Sequence, residues 1–143
     1  MDHLAMTLKE KRDRLVEDLG LIEDPLERLG YIIDLGKHAP GLADEYKEES
    51  FRIEGCISNL WLYPSFEKGI CRFQADSDAM ITKGLSTLLC NLYSGHCPAE
   101  ILEVDPSFLA QVGITQHLSP NRRNGLTQIG NRIMGYARLH LNS

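Results

Sequence analysis

Met80, Ile81, Gly84, Leu85, Leu88, Leu89 and Leu92 recur at the spacing of one helical face, and so long an apolar stripe has to be covered by the rest of the chain. The stretch ending near Tyr93 therefore reads as the central core helix. Asp76, Ser77 and Asp78 stand directly before it, where such residues cap a helix and complement its dipole. Cys90 falls near the apolar side and reads as packing.

Two upstream segments can lie against this helix. From Thr7 to about Leu19 the chain puts Leu8, Leu15, Val16 and Leu19 on one side and ends at Gly20. The charges from Lys9 to Arg14 form its solvated face. Asp24-Pro25-Leu26-Glu27 starts a second helix, with Asp as cap, Pro in the first position and Glu27 placed for a capping box. Leu26, Leu29, Ile32, Ile33 and Leu35 are its expected buried face, and it stops between Gly36 and Pro40. Lys37 and His38 fall in its last turn, where a cation suits the dipole.

Ile57 to Tyr63 and Ile70 to Ala75 read as two strands joined by a turn-rich linker, Pro64 to Gly69. Cys71, Phe73 and Ala75 alternate with Arg72 and Gln74, which assigns Cys71 to the core. Phe51 to Glu54 is a candidate third strand, and the acidic stretch from Gly41 to Ser50 a loop or short helical turn. After the break Ser94-Gly95-His96-Cys97-Pro98, short helices are expected from Pro98 and from Pro106 to Gly113. A polar loop from Thr115 to Gly125 then leads to a last helix with Leu126, Ile129, Ile133 and Ala137 buried and Arg132 and Arg138 outside. Helices around a small antiparallel sheet of about three strands make an α+β fold. The 143 residues fit a single domain, 1–143, able to bury about two thirds of the unfolded surface.

Lys plus Arg number 15 against 20 Asp plus Glu, a formal net charge of -5, which argues against a nucleic-acid partner. Apolar runs such as Leu60 to Tyr63 fall far short of the ~20 residues that span a membrane. Met1 to Glu10 has no continuous apolar stretch, and its acidic residues suit a transit peptide poorly. The expected location is the cytoplasm.

The candidate for chemistry is Glu54 to Trp61, Glu-Gly-Cys-Ile-Ser-Asn-Leu-Trp. Gly55 permits a sharp turn that would present Cys56 at a strand edge. Two readings stand side by side: a reactive thiol, or a small buried residue. The remaining cysteines, Cys71, Cys90 and Cys97, include no C-x-x-C pair, so neither a structural zinc site nor a dithiol couple is indicated. His96 and Cys97 are adjacent and by themselves make a poor chelate. His117, Arg122 and Arg123 in one polar stretch suit either an anion or plain solvation.

Gly55-Cys56-Ile57-Ser58 with Trp61, Asp76-Ser77-Asp78-Ala79, Lys83-Gly84-Leu85, and Leu118-Ser119-Pro120 with Arg122 and Asn124-Gly125-Leu126 together resemble the SufE family, sulfur acceptors that serve a cysteine desulfurase in iron–sulfur cluster biogenesis. The resemblance runs from the Asp24-Pro25 helix to the last helix. It implies an α+β fold similar to the scaffold protein IscU, Cys56 as the sulfur-accepting residue, and Gly55, Ser58, Asp78 and Arg122 as residues of the cysteine loop or partner surface. It further implies a SufS-like desulfurase as partner, which would carry the pyridoxal phosphate, and an iron–sulfur scaffold downstream. No cofactor is needed on this chain, and a homodimer is compatible with the resemblance. Position 57, usually polar in the family, is Ile here, and position 121, usually Ser or Thr, is Asn. The alternative of another class is a scaffold-type module holding zinc or a nascent cluster on several cysteines, which requires at least three converging ligands.

Overall fold

Helix α1, Leu8–Gly20, starts where Thr7 Oγ1 accepts the Glu10 N–H and the Glu10 carboxylate accepts the Thr7 N–H, a complete capping box. The computed structural model describes residues 6–54 and 58–143; Gly55, Cys56 and Ile57 lie outside them. Helix α2, Pro25–His38, starts on Asp24, whose side chain accepts from the Leu26 N–H at 3.0 Å. Its buried face is Leu29, Ile32 and Gly36. Leu26, expected on that face, is 64% exposed, because it lies about a quarter turn round the helix from the centre of the Leu29, Ile32 and Gly36 stripe. Two 3₁₀ turns, Asp44–Tyr46 and Glu49–Phe51, lead toward the sheet.

Strands β1, Leu60–Glu67, and β2, Ile70–Ser77, pair antiparallel from Leu60 opposite Ser77 to Glu67 opposite Ile70. The turn is only Lys68-Gly69, with φ of 53° and 80°, the left-handed pair that a two-residue hairpin turn demands. Pro64 to Glu67, read from sequence as linker, are therefore strand. Leu60 turns its carbonyl outward to the Ile53 N–H at 2.7 Å. Pro64 has the same parity, so its nitrogen faces that outer edge and its missing N–H disturbs no β1–β2 bond. On the far side of β2, Cys71 exchanges backbone bonds with Gly95 and His96, and Phe73 bonds the Ser94 hydroxyl. Among the described residues the sheet has two strands. The expected third strand is reduced to one bridge, Arg52 opposite Trp61, because residues 49–51 are wound into a 3₁₀ turn.

Helix α3, Met80–Tyr93, is the centre, buried from Gly84 through Cys90. Met80, expected in its stripe, is 56% exposed at the first turn. α2 packs on one flank and β2 on another. The α2 crossing is glycine on glycine: a Cβ built on Gly36 would lie 2.7 Å from the Gly84 nitrogen, a separation only hydrogens can fill. Tyr93, fully buried, donates to the Val104 carbonyl at 2.5 Å. Helix α4, Pro98–Leu102, and a 3₁₀ segment, Pro106–Val112, precede helix α5, Pro120–Leu139. α5 begins six residues earlier than the apolar pattern alone suggests, because Ser119 accepts the Arg122 N–H and Pro120 takes the first helical position. Leu8, Leu29, Ile32, Leu60, Leu62, Phe73, Leu85, Leu89, Ile129 and Ile133 belong to one buried cluster. No helix among the described residues is long and apolar enough to cross a membrane.

Candidate functional site

The segment 54–59 is spanned by the Ile53–Leu60 backbone bond and the Arg52–Trp61 bridge. A chain that closes on itself over so few residues fixes both feet of whatever lies between. Polar side chains do the fixing. The Asp78 carboxylate takes the Asn59 N–H on one oxygen and the Asn59 side-chain amide on the other, each at 3.1 Å. Asn59 Oδ1 in turn accepts from Arg52 Nε at 3.2 Å. The Asn59 carbonyl receives the Ser77 hydroxyl at 2.6 Å and the Asp78 N–H at 3.3 Å. From α5, Arg132 Nη2 reaches the Arg52 carbonyl at 3.3 Å, so Arg132 is a tether and not the outward residue expected.

Asp76 and Asp78 therefore do not cap α3. Its N-cap is Ala79, without a side-chain cap bond, and Asp76 and Ser77 complete β2. Backbone donors outside α3 take these acceptors. Asp76, opposite Trp61 in the register, accepts the Leu42 N–H at 3.0 Å and the Ser77 N–H at 2.8 Å, with Lys47 at 3.3 Å and Lys83 at 3.6 Å. Burial works against its charged form, but the hydrogen bonds from Leu42, Ser77 and Lys47 and the Lys83 charge outweigh it and hold its carboxyl below the ordinary aspartate range. Lys47 also stands 5.5 Å over the Trp61 ring, and Tyr46, its neighbour in sequence, lies tilted against Tyr63, which Phe51 meets edge to face.

Of the residues singled out in the sequence, Gly55 and Cys56 lie outside the described residues. Ser58 is half-buried at the returning foot, and Asp78 holds that foot through Asn59. Arg122 is exposed in the first turn of α5, its backbone N–H bonded to Ser119 Oγ at 3.3 Å. No hydrogen bond among the described residues ties its guanidinium to Arg52, Asn59 or Asp78. Asn59, Arg52 and Arg132 were missed; an Asn three residues after Cys56, at the foot of a loop, was the available signal, whereas the arginine contacts are long-range.

The other thiols are placed differently. Cys71 and Cys90 are buried and Cys97 is exposed. Burial pushes the Cys90 thiol up to about 12 and, with a further push from Cys97, raises Cys71. His96 does not pair with Cys97 but is buried between Glu100, at 2.8 Å from Nδ1, and Lys11, at 3.1 Å from Nε2. Glu100 also accepts the Leu8 N–H at 2.7 Å, so this group docks α1 on α4. Among the described residues no group of three or more His, Cys, Asp or Glu could hold a metal ion.

A family model described as SufE, Fe-S metabolism associated domain, matches residues 13–137. A SufE-like protein of Rhizobium etli is 33% identical over 132 residues, 89% of this chain and 89% of the relative. SufE-like protein 1 of Arabidopsis thaliana, chloroplastic/mitochondrial by its name, is 33% identical over 135 residues, 94% of this chain and 36% of that protein. The solution structure of a hypothetical protein from Thermus thermophilus matches with a TM-score of 0.75 at 23% identity, covering 93% of this chain and 97% of that one, an agreement of fold.

Proposed function

Because the chain belongs to the SufE family of iron–sulfur metabolism, we propose that Cys56 accepts sulfur from a cysteine desulfurase, stimulates that enzyme and passes the sulfur on for cluster assembly. The Cys56 thiolate attacks the outer sulfur of a persulfide on the partner's cysteine. An S–S bond forms to Cys56, the bond to the partner's cysteine breaks, and that cysteine leaves as a thiolate; there is no net oxidation. The pyridoxal phosphate that cleaves the C–S bond of free cysteine belongs to the partner, a SufS-like enzyme. This chain contributes the thiol and its placement.

The observation that carries the reading is the pair of fixed feet around position 56, joined through Arg52, Asn59 and Asp78. A reacting group gains most when the segment that bears it is anchored on regular elements, here β1, the end of β2 through Ser77 and α5 through Arg132. The rival reading, a scaffold with several cysteine ligands, has less support, since Cys71 and Cys90 are packed in the apolar core with raised thiol pKa.

Intact mass after incubation with a SufS-type desulfurase and cysteine, without reductant, tests the proposal. Wild type is expected to gain one sulfur atom and Cys56→Ser none, with Cys97→Ser unaffected. A gain that persists in Cys56→Ser would refute it.

A further inference from the structure

Lys47 closes the Asp44–Tyr46 turn through its backbone N–H and lies outside the apolar core, yet its side chain is only partly exposed and held by three groups: Asp76 at 3.3 Å, Asp44 at 3.8 Å and the face of Trp61 at 5.5 Å. Trp61 and Asp76 are cross-strand neighbours, so the ammonium spans two side chains on one face of the hairpin. Trp61 is the second residue of β1, one position beyond where the chain leaving the Cys56 segment joins the sheet, and its backbone bridges Arg52 on the entering side.

Asp76 is built to keep that lysine in place. It is 13% exposed, and it binds the Leu42 N–H as well as Lys47, so both ends of the stretch 42–47 are lashed to β2 by one carboxylate. Gly41, with φ of 70°, passes so close that a Cβ would lie 2.9 Å from Asp76 Cγ. Lys83 closes the other side at 3.6 Å. One carboxylate thus holds two ammonium groups and two backbone donors, an arrangement that fixes geometry beyond what surface ion pairs achieve.

Resting on the sulfur-acceptor reading above, we propose that Lys47 and Asp76 are positioning residues for sulfur acceptance, pinning Trp61 and through it the foot from which the Cys56 segment departs. They touch neither sulfur nor partner cysteine; they restrict the geometries that the foot samples. A cation held over an indole restrains the ring directionally, and a small loss of alignment in the supporting residues is felt as rate.

Lys47→Met keeps the aliphatic stem and removes the charge, and Lys47→Arg restores a cation able to stack on the ring and bond Asp76. Sulfur acceptance is measured by intact mass in single turnover against desulfurase concentration. Trp61, the sole tryptophan, reports its own surroundings through emission maximum and acrylamide quenching. The expected result for Lys47→Met is a rate at saturating desulfurase about fivefold lower, an unchanged half-saturating concentration, and greater quenching, with Lys47→Arg near wild type in all three. Asp76→Asn should move the same readouts in the same direction. If Lys47→Met changes the quenching but leaves the saturating rate at the wild-type value, the positioning role is wrong while the sulfur-acceptor reading stands. If Lys47→Arg is as slow as Lys47→Met although Trp61 emission is restored, the role is likewise wrong. If wild type itself gains no sulfur on Cys56, the acceptor reading falls and the positioning role with it.

Discussion

The crossing of α2 on α3 allows a prediction of opposite signs at two glycines. At Gly84 a Cβ would overlap the Ile32 carbonyl oxygen, stand 2.9 Å from its carbon and lie 3.1 Å from the Ile33 Cα. All of these are backbone atoms, so no side chain can turn away to make room. Carbon atoms rest at about 3.5–4.0 Å, so Gly84→Ala forces α2 back by ~0.5–1 Å along its packed face. Overpacking of this kind costs about 1–3 kcal/mol, against about 1 kcal/mol regained from the better helix propensity of alanine. Because the obstructing atoms are backbone, the upper part of that range, ~2–3 kcal/mol, applies, and the net expectation is a loss of ~1–2 kcal/mol, or about 5 °C in Tm for a chain of this size. Gly30, in the same helix α2, is exposed with nothing within 4 Å of a built Cβ. Gly30→Ala therefore gains up to ~1 kcal/mol from propensity alone. Urea unfolding followed by far-UV dichroism, with equal m-values, measures both. A Gly84→Ala protein as stable as wild type would refute the contact argument, because only a yielding α2 could absorb the methyl.

Further outcomes follow from the site. Asn59→Ala removes the side-chain amide bonds to Asp78 and Arg52 and leaves the backbone bonds between positions 59 and 78, and hydrogen exchange at the Ile53 amide, which bonds the Leu60 carbonyl, is expected to accelerate about tenfold; an unchanged rate would show that backbone closure holds without the side chain. Asp76 and Glu100 both titrate below their ordinary values. Burial opposes the charged form in each, and is overcome at Asp76 by Leu42, Ser77, Lys47 and Lys83, and at Glu100 by Leu8, His96 and Lys11. Lowered folded pKa values give stability that is complete above the unfolded values near pH 4 and is lost as pH falls through the folded ones. The Tm difference between wild type and Asp76→Asn should accordingly narrow below pH 4, and a constant difference from pH 7 to pH 3 would contradict the assignment.

The sequence announces those parts of the fold whose signals are local. Thr7 and Asp24 start their helices with bonds made within three residues, and the stripe of α3 is visible because one helix face stays in the core throughout. Where two local signals competed, tertiary partners decided. Pro64 punctuates the sequence like a turn, but an edge strand tolerates it, and the reversal belongs to Lys68-Gly69. Asp76 and Asp78 look like caps, yet Leu42 and Asn59 are the donors they meet, from positions 34 and 19 residues away. Asp78 and Ser58 at the site were accessible only through resemblance to a family. Arg132 could not be placed at all by periodicity, since its target is a carbonyl 80 residues earlier.

Pro64 has one more consequence, for the protein in concentrated solution. A two-stranded sheet has two edges along which another chain can add. The edge of β2 is occupied by the backbone of Gly95 and His96 and the Ser94 hydroxyl. The edge of β1 is met by Ile53 at Leu60 and then carries a position without a donor at Pro64. A neighbouring molecule laid along β1 would find the ladder interrupted at mid-strand, which disfavours strand-by-strand association. The proline that obscures the hairpin in the sequence is thus a guard against polymerisation at the sheet that carries the cysteine segment.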